Sequence, residues 1–559
     1  MTFTKRYWPE IALVSLGMLL RLAFASLPLQ TLLLLLEDDA WMVTAIARHW
    51  ALGHGITADG LNPTNGFHPL YPLTLGALPY LLRPDDLDFG FRANLLICAL
   101  LNGLALLPLY GLARLFARRG VAQAGLAVLA LNPLLVRYSV NAMETSLALL
   151  LLLLLWWYAL ARRPADLRGA ALLGLLAALA ILARLDSMLA AGLLGLALLW
   201  RELRARRWPA LSATYALVTG ALLLPYFARN WLVFGALSPS SGRALAYLHS
   251  FRGDFTFTSG LGLIAYQTAL DMSWAPSWLY AIVLALLLAM FWTLPGPQRT
   301  RMAPLALYAL ALTLYYSYLQ QNGHERYFVG ISAVVVLLVC AWFDRRLQPE
   351  QARDVRRSSL AAAGPWLVAA AAVALNGGLY LRYLGEAARA PSLAQPQMYQ
   401  AARWVAANLP PDTRLASSNS GIFQYYSGHV VLNFDGKLNH KIIPVQERRE
   451  LDVYLRSEGV GYIVDLPDVA EKVEFYSRDL SEARPHAELS SLDKLIVYAR
   501  LVANKLRLGP PVQLDLRVPD RVLRPFSSVT TVVQQFPLPN DPTRAVTVYR
   551  LNSDFGRGQ

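Results

Sequence analysis

Three consecutive carboxylates, Glu37, Asp38 and Asp39, directly follow the apolar run Leu32–Leu36. Like charges this close raise one another's pKa, and burial at a lipid–water boundary raises them further. A carboxylate held there is suited to act as a general base or to ligate a hard cation such as Mg²⁺ or Mn²⁺. The competing reading is a solvated helix start, because aspartate at the head of a helix over Asp39–Leu52 would stabilise it. Downstream, His54, Asp59, Asn62, Asn65 and His68 lie among glycines and prolines that make a tightly turned loop rather than a tether. The two histidines lack the paired spacing of a zinc site. Further on, Glu144 opens a leucine run, Arg184 and Asp186 close an apolar segment, and His324, Glu325, Arg326 and Tyr327 stand at the start of another. Arginine is permanently charged and bidentate, the natural clamp for an oxyanion. Each also has a structural reading: an interhelix ion pair for Arg184–Asp186, headgroup snorkelling for Arg326, a helix N-terminal charge for Glu144. No P-loop, GxSxG or HExxH is present.

These residues are positioned by an apolar chain. Of 559 residues 55% are hydrophobic and 16% charged, against about a quarter charged in a soluble protein. That excludes a disordered protein, a collagen-like fibre and an ordinary cytosolic enzyme. Apolar runs of spanning length recur between residues 9 and 383, which predicts a polytopic α-helical membrane protein. The net charge of +14 and pI of 9.7 come from arginines in short segments between those runs. The charge therefore reads as membrane topology and not as a nucleic-acid surface. Cys98 and Cys340 lie inside apolar runs and can form no disulfide framework.

Five basic segments, around Arg118, Arg163, Arg206, Arg301 and Arg356, are placed in the cytoplasm together with the N-terminus. Helices then fall near 9–28, 90–112, 120–137, 143–161, 168–186, 187–200, 208–228, 274–294, 303–320, 326–343 and 363–383, about eleven spans with the C-terminus outside. Ala23-Phe24-Ala25 mimics a signal-peptidase site, yet Arg21 and Glu10 break the apolar pattern and favour a retained helix. The threading requires that Phe67–Leu82, with Pro69, Pro72 and Pro79, lies on or dips into the outer leaflet without crossing. Residues 1–383 thus form a transmembrane module with a first external loop at 29–89, and 384–559 an extracytoplasmic mixed α/β domain. In that domain Arg403–Leu409 reads as the end of an amphipathic helix. Val430–Phe434, Tyr462–Asp465, Lys494–Leu501 and Ala545–Leu551 read as strands. A polar turn holds Asn433, Asp435, Gly436 and Asn439.

The run EDDAW…A.ARHWALGHGITADGLNPTNGFHPLYPL resembles the first external loop of bacterial GT-C glycosyltransferases. In the expected order follow NAMETSLALL (141–150), LARLDS (182–187), LPYFARNWLVFGALSPSSG (224–242) and ERYFV (325–329). The segment ARWVAANLP…SGIFQYYSGHVVLNFDGKLNH is similar to the periplasmic domain of one GT-C branch. That branch is related to protein mannosyltransferases, lipid A aminoarabinose transferases and mycobacterial arabinofuranosyltransferases. The resemblance implies the GT-C fold and a multi-pass protein of the bacterial inner membrane. It also implies an inverting transfer from a polyprenyl-phosphate-linked sugar to a cell-envelope glycan, lipid or protein.

By position Asp38 matches the family's general base, with Asp39 as the close alternative; Glu37 is extra to the usual pair. Arg326 with Tyr327, and then Arg184, are the candidates to hold the donor phosphate. Glu37, His54, Asn65, His68, Glu144, Asp186, His324 and Glu325 are the remaining substrate-site candidates, and a cation, if any, falls to Asp38 and Asp39. Asn230 and the turn Ser238–Arg243 are placed near the acceptor entrance. The alternatives from other classes are a transporter or flippase of a lipid-linked saccharide and a non-catalytic assembly subunit. A transporter predicts repeat symmetry and mid-membrane ionisable groups, whereas here no repeat is visible and the groups gather at one boundary. An O-antigen-ligase-like enzyme would carry its key loop late in the chain. Sugar, acceptor and oligomeric state are not legible.

Overall fold

The computed structural model describes residues 3–244, 277–316, 324–346, 355–389, 394–477 and 525–556. It is predominantly helical, and the chain divides into two compact units. One takes Met1–Leu36, His68–Leu237 and Gly260–Arg389; the other takes Glu37–Phe67, Ser238–Ser259 and Ala390–Gln559.

In the first unit five helices among the described residues are long and apolar enough to cross a bilayer. They are Tyr7–Ala25, Leu87–Phe116, Thr145–Arg162, Ala210–Phe234 and Ala363–Glu386. A sixth is bent by 59° between Arg119–Ala130 and Pro133–Ser139. The bend has a local cause. Pro133 cannot continue the helix before it, and the Asn132 side chain accepts hydrogen bonds from the N–H groups of Leu134 and Leu135 to start a new one. Leu167–Ala183 and Ile282–Thr293 are shorter apolar helices. The expected total of eleven spans is not confirmed by this criterion. Phe67–Leu82 contains two short helices, Leu70–Leu73 and Leu78–Leu82. End to end, Leu70–Leu82 extends about 20 Å at a helix's rise, short of the roughly 30 Å hydrocarbon core.

The charges that interrupt the first helix, Phe3–Ala25, are satisfied inside the unit. Arg21 Nε donates to Asn102 Oδ1 at 2.6 Å, and its Nη1 donates to the carbonyls of Gly17 and Ala130 at 2.8 Å. Glu10 accepts from Arg119 Nε at 2.6 Å and from the Tyr110 hydroxyl at 2.6 Å. Buried charges persist where each has partners of this kind.

The second unit is built on a five-stranded sheet of β1 (Arg414–Ser417), β2 (Val431–Asn433), β3 (Val460–Asp465), β4 (Thr530–Leu538) and β5 (Asp541–Leu551). The order is β2-β1-β3-β5-β4. The pairs β1–β2 and β1–β3 are parallel, and β5 runs antiparallel to both β3 and β4. The parallel strands are largely buried, including β2 at one edge, while β4 at the other edge is mostly exposed. Ala416, Leu432, Phe434, Ile463 and Leu455 form the core with Phe526 and Phe555. The expected amphipathic helix is Gln395–Asn408. The strand reading at Lys494–Leu501 lies outside the described residues.

The first-loop segment Glu37–Phe67 belongs to this same unit, with the helix Asp39–Ala51 at its head. Further on, Asp59 closes a loop on itself by accepting from Thr57 Oγ1 and from the N–H groups of Leu61 and Asn62.

Candidate active site

Within the second unit the acidic triplet meets residues from the C-terminal half of the chain. Asp38 is 7% exposed. Its Oδ2 accepts from the backbone N–H of Gly421 and its Oδ1 from that of Ile422, both at 2.8 Å. These two residues open the helix Gly421–Tyr426. Burial pushes the Asp38 carboxyl up to about 7; the two N–H groups pull against that, and the neighbouring Asp39 adds to it. A Cβ on residue 421 would stand 2.3 Å from the Asp38 carbonyl oxygen and 2.9 Å from its Oδ1, so only glycine permits the approach.

Asp39 is partly exposed, with its Oδ1 3.4 Å from the Lys437 ammonium. Lys437 also lies 3.7 Å from Asp435, whose carboxyl burial pushes upward. The lysine is fixed by its own backbone. Its carbonyl accepts from Ser240 Oγ at 2.8 Å. That oxygen would sit 1.7 Å from a Cβ on residue 66, which is glycine. Asn65 holds the same junction by accepting from the Ser240 N–H at 3.1 Å, and Lys441 donates to Asn62 at 3.2 Å. Asn433, Asp435 and Gly436 shape the turn that carries Lys437. Asn433 Oδ1 accepts from the Leu438 N–H, Asp435 from the Lys437 N–H, and Gly436 has φ +87°. Asn439 donates to the Tyr454 hydroxyl.

A cation held by Asp38 and Asp39 would sit against hydrogen-bond donors. Both Asp38 oxygens face N–H donors, and an ammonium rather than an open coordination position stands beside Asp39.

His54 is exposed, with its Nδ1 3.1 Å from His49 Nδ1. Burial, with Arg48 nearby, holds His49 down near 4, so that ring is neutral at neutral pH. Glu37 lies in the same unit and is only partly buried.

Most of the remaining candidates gather in the first unit. Arg184 follows the helix Leu167–Ala183 and is buried. Its Nε donates to Asp186 Oδ2 at 2.8 Å, its Nη1 stands 3.4 Å from Glu144, and its Nη2 donates to the Tyr316 hydroxyl at 3.1 Å. Tyr316 in turn donates to Asp186 at 2.6 Å. His68 Nδ1 accepts from the Leu185 N–H at 3.2 Å. A neutral His68 therefore carries its hydrogen on Nε2, 3.9 Å from Glu144.

Tyr327 joins the two arginines. Arg184 lies over its ring at 4.6 Å and Arg326 at 5.2 Å from the centroid, Tyr316 stacks on it at 4.6 Å, and the His324 ring meets its edge at 5.3 Å. His324 leads into the single turn Glu325–Tyr327, ahead of the helix Val329–Arg346. Arg184 is thus balanced by two carboxylates, whereas Arg326 brings a second cation to the same aromatic ring. Asn230 is buried and donates to the Leu237 carbonyl.

Sequence reasoning missed Tyr316, Gly421, Ile422 and Lys437. A tyrosine-rich run just before His324 is the only signal for the first. Lys437 sits inside the turn already singled out. Backbone N–H groups such as those of residues 421 and 422 leave no mark of their own in a sequence.

Residues 388–505 match a family model described as a domain of unknown function (DUF8728). Comparison with curated proteins gives no match. Among solved structures the chain is similar to the Archaeoglobus fulgidus oligosaccharyltransferase in its apo form. The identity is 13%, over 84% of this chain and 71% of that one, with a TM-score of 0.57. It is also similar to ArnT from Cupriavidus metallidurans bound to undecaprenyl phosphate, at 14% identity over 84% and 94% of the two chains, TM-score 0.52. A third likeness is to the Archaeoglobus fulgidus enzyme in complex with Zn and sulfate, at 14% identity over 80% and 68%, TM-score 0.50. The chain has the GT-C fold, that of membrane-embedded glycosyltransferases.

Proposed function

We propose that this protein is an inverting glycosyltransferase that moves a sugar from a polyprenyl-phosphate donor to a cell-envelope acceptor. It works on the extracytoplasmic face of the bacterial inner membrane, with the N-terminus cytoplasmic and the C-terminal domain extracytoplasmic. The observation that carries the reading is Asp38. It is a buried carboxylate held at both oxygens and pushed up to about 7, on a GT-C fold. A base that titrates near the working pH removes a proton most effectively. Asp38 takes the proton of the acceptor hydroxyl as its oxygen bonds to the anomeric carbon. The bond from that carbon to the phosphate oxygen breaks, and its electron pair leaves with the polyprenyl phosphate. Arg326 and Tyr327 hold the phosphate as its charge grows, a reading supported by the packing of Arg326, Arg184 and Tyr316 around the Tyr327 ring. The bound undecaprenyl phosphate of the ArnT structure supports a lipid donor of this class.

The test uses the full chain in lipid nanodiscs with a panel of undecaprenyl-phosphate hexoses and pentoses. Undecaprenyl phosphate should be released from at least one donor, and Asp38→Asn should abolish release while still binding that donor. No release from any donor overturns the reading, as does full turnover by Asp38→Asn. Movement of an intact lipid-linked sugar across a vesicle without bond cleavage would make the protein a transporter.

A further inference from the structure

We infer that the C-terminal α/β domain is part of the catalytic apparatus. The N–H groups of Gly421 and Ile422 hold the carboxylate of Asp38, while Lys437 holds that of Asp39, so this domain sets the position of the base. The inference rests on the reading of Asp38 as the base.

Four observations carry it. First, both oxygens of Asp38 are engaged, each by a different backbone N–H at 2.8 Å. Two donors on two oxygens fix the carboxylate plane as well as its place, whereas a single bond would leave it free to turn. Second, residue 421 must be glycine for this to occur, because a Cβ would press on the Asp38 carbonyl at 2.3 Å and on the Met42 N–H nitrogen at 2.9 Å. Third, Lys437 is not a drifting surface lysine. Ser240 and Gly66 grip its backbone, and its ammonium lies between Asp39 and Asp435 at 3.4 and 3.7 Å. Fourth, the first-loop residues and the C-terminal residues belong to one compact unit. The loop therefore does not present its carboxylates alone. Charge-assisted bonds of this kind are about twice as strong as neutral ones, and a misplacement of about 1 Å can cost a reaction roughly 100-fold in rate.

Gly421 and Lys437 are accordingly positioning residues, acting through Asp38 and Asp39. Their variants are measured in the full chain with the undecaprenyl-phosphate sugar that the wild type turns over fastest. Gly421→Ala should lower kcat about 100-fold with KM for the donor unchanged. Lys437→Met should lower kcat about 10-fold, again without a change in KM, and Lys437→Arg should restore most of it.

A merely structural role would lower the amount of folded protein or raise KM, and the arginine variant would not matter. If Asp38→Asn is inactive while Lys437→Met keeps the wild-type kcat, the inference is overturned and the base assignment stands. The Lys437 variants decide this even where Gly421→Ala fails to fold. If Asp38→Asn turns over normally, the base assignment itself fails.

Discussion

A general base in a membrane-boundary loop has to be basic enough to take a proton and ionised often enough to act. As the proposed base, Asp38 would meet both demands through burial, which pushes its carboxyl up to about 7, against the pull of two N–H donors. Two consequences follow at neutral pH. The rate should rise with pH through about 7, because only the ionised carboxylate accepts a proton; kcat measured between pH 5 and 9 checks this. A rate already flat from pH 5 upward would mean that another group is the base. Stability moves the other way. A carboxyl raised above its unfolded value holds a proton in the folded state that the unfolded chain has released. The stabilisation is therefore full below the ordinary carboxylate range and lost as pH rises through about 7. The contribution of Asp38 to thermal unfolding should accordingly shrink from pH 5 to pH 8. Arg326→Ala should raise the donor KM about 10-fold or more, since a charge-assisted bond to phosphate contributes about 1.5–3 kcal/mol. An unchanged KM would return Arg326 to a structural role. The triplet itself was legible, because three adjacent carboxylates after an apolar run are conspicuous. Its partners were not: Gly421 lies 383 residues away, and its contribution is a backbone group.

The elements repeat this pattern, in that local signals were readable and long-range ones were not. One local signal is the exception: the reading of one helix over 120–137 ran through Asn132-Pro133, where the structure instead bends by 59°, because proline cannot continue the helix before it. Asn132→Ala removes the cap on Leu134 and Leu135 and should cost about 1 kcal/mol, read as a lowered Tm in detergent. No change in Tm would mean that neighbouring helices alone fix the bend. Arg21 and Glu10 were visible as interruptions, but their partners Asn102 and Arg119 come from other helices. Strands β2, β3 and β5 follow runs of β-branched and aromatic residues. By contrast, β1 has only four residues, Arg-Leu-Ala-Ser, too short for any alternation to register. The edge strand β4 mixes threonine, valine and glutamine with a proline and shows no clean apolar face. The helix Gly421–Tyr426 is about one turn and a half, too short for a helical period to register.

At the scale of the molecule, one compact unit contains residues 37–67, the described residues 238–244 and the C-terminal residues from 394 onward. In the proposed topology this unit lies wholly on the extracytoplasmic side of the membrane. The chain must therefore cross an even number of times between residues 68 and 237, and again between 245 and 389, whatever the total. The threading of the basic segments obeys both conditions, with six spans in the first interval and four in the second by count of the ranges above. Labelling from one face fixes the side. In a chain whose buried cysteines are replaced by Cys98→Ala and Cys340→Ala, a single Ser553→Cys marks the C-terminal domain and a single Arg207→Cys marks a basic segment. Both positions are exposed. A membrane-impermeant maleimide applied from the extracytoplasmic side should label the first in intact spheroplasts and the second only after permeabilisation. The reverse pattern would turn the whole topology over. It would place Asp38 on the cytoplasmic face, where a polyprenyl-phosphate donor displayed outside could not reach it, and so would end the functional reading along with the threading.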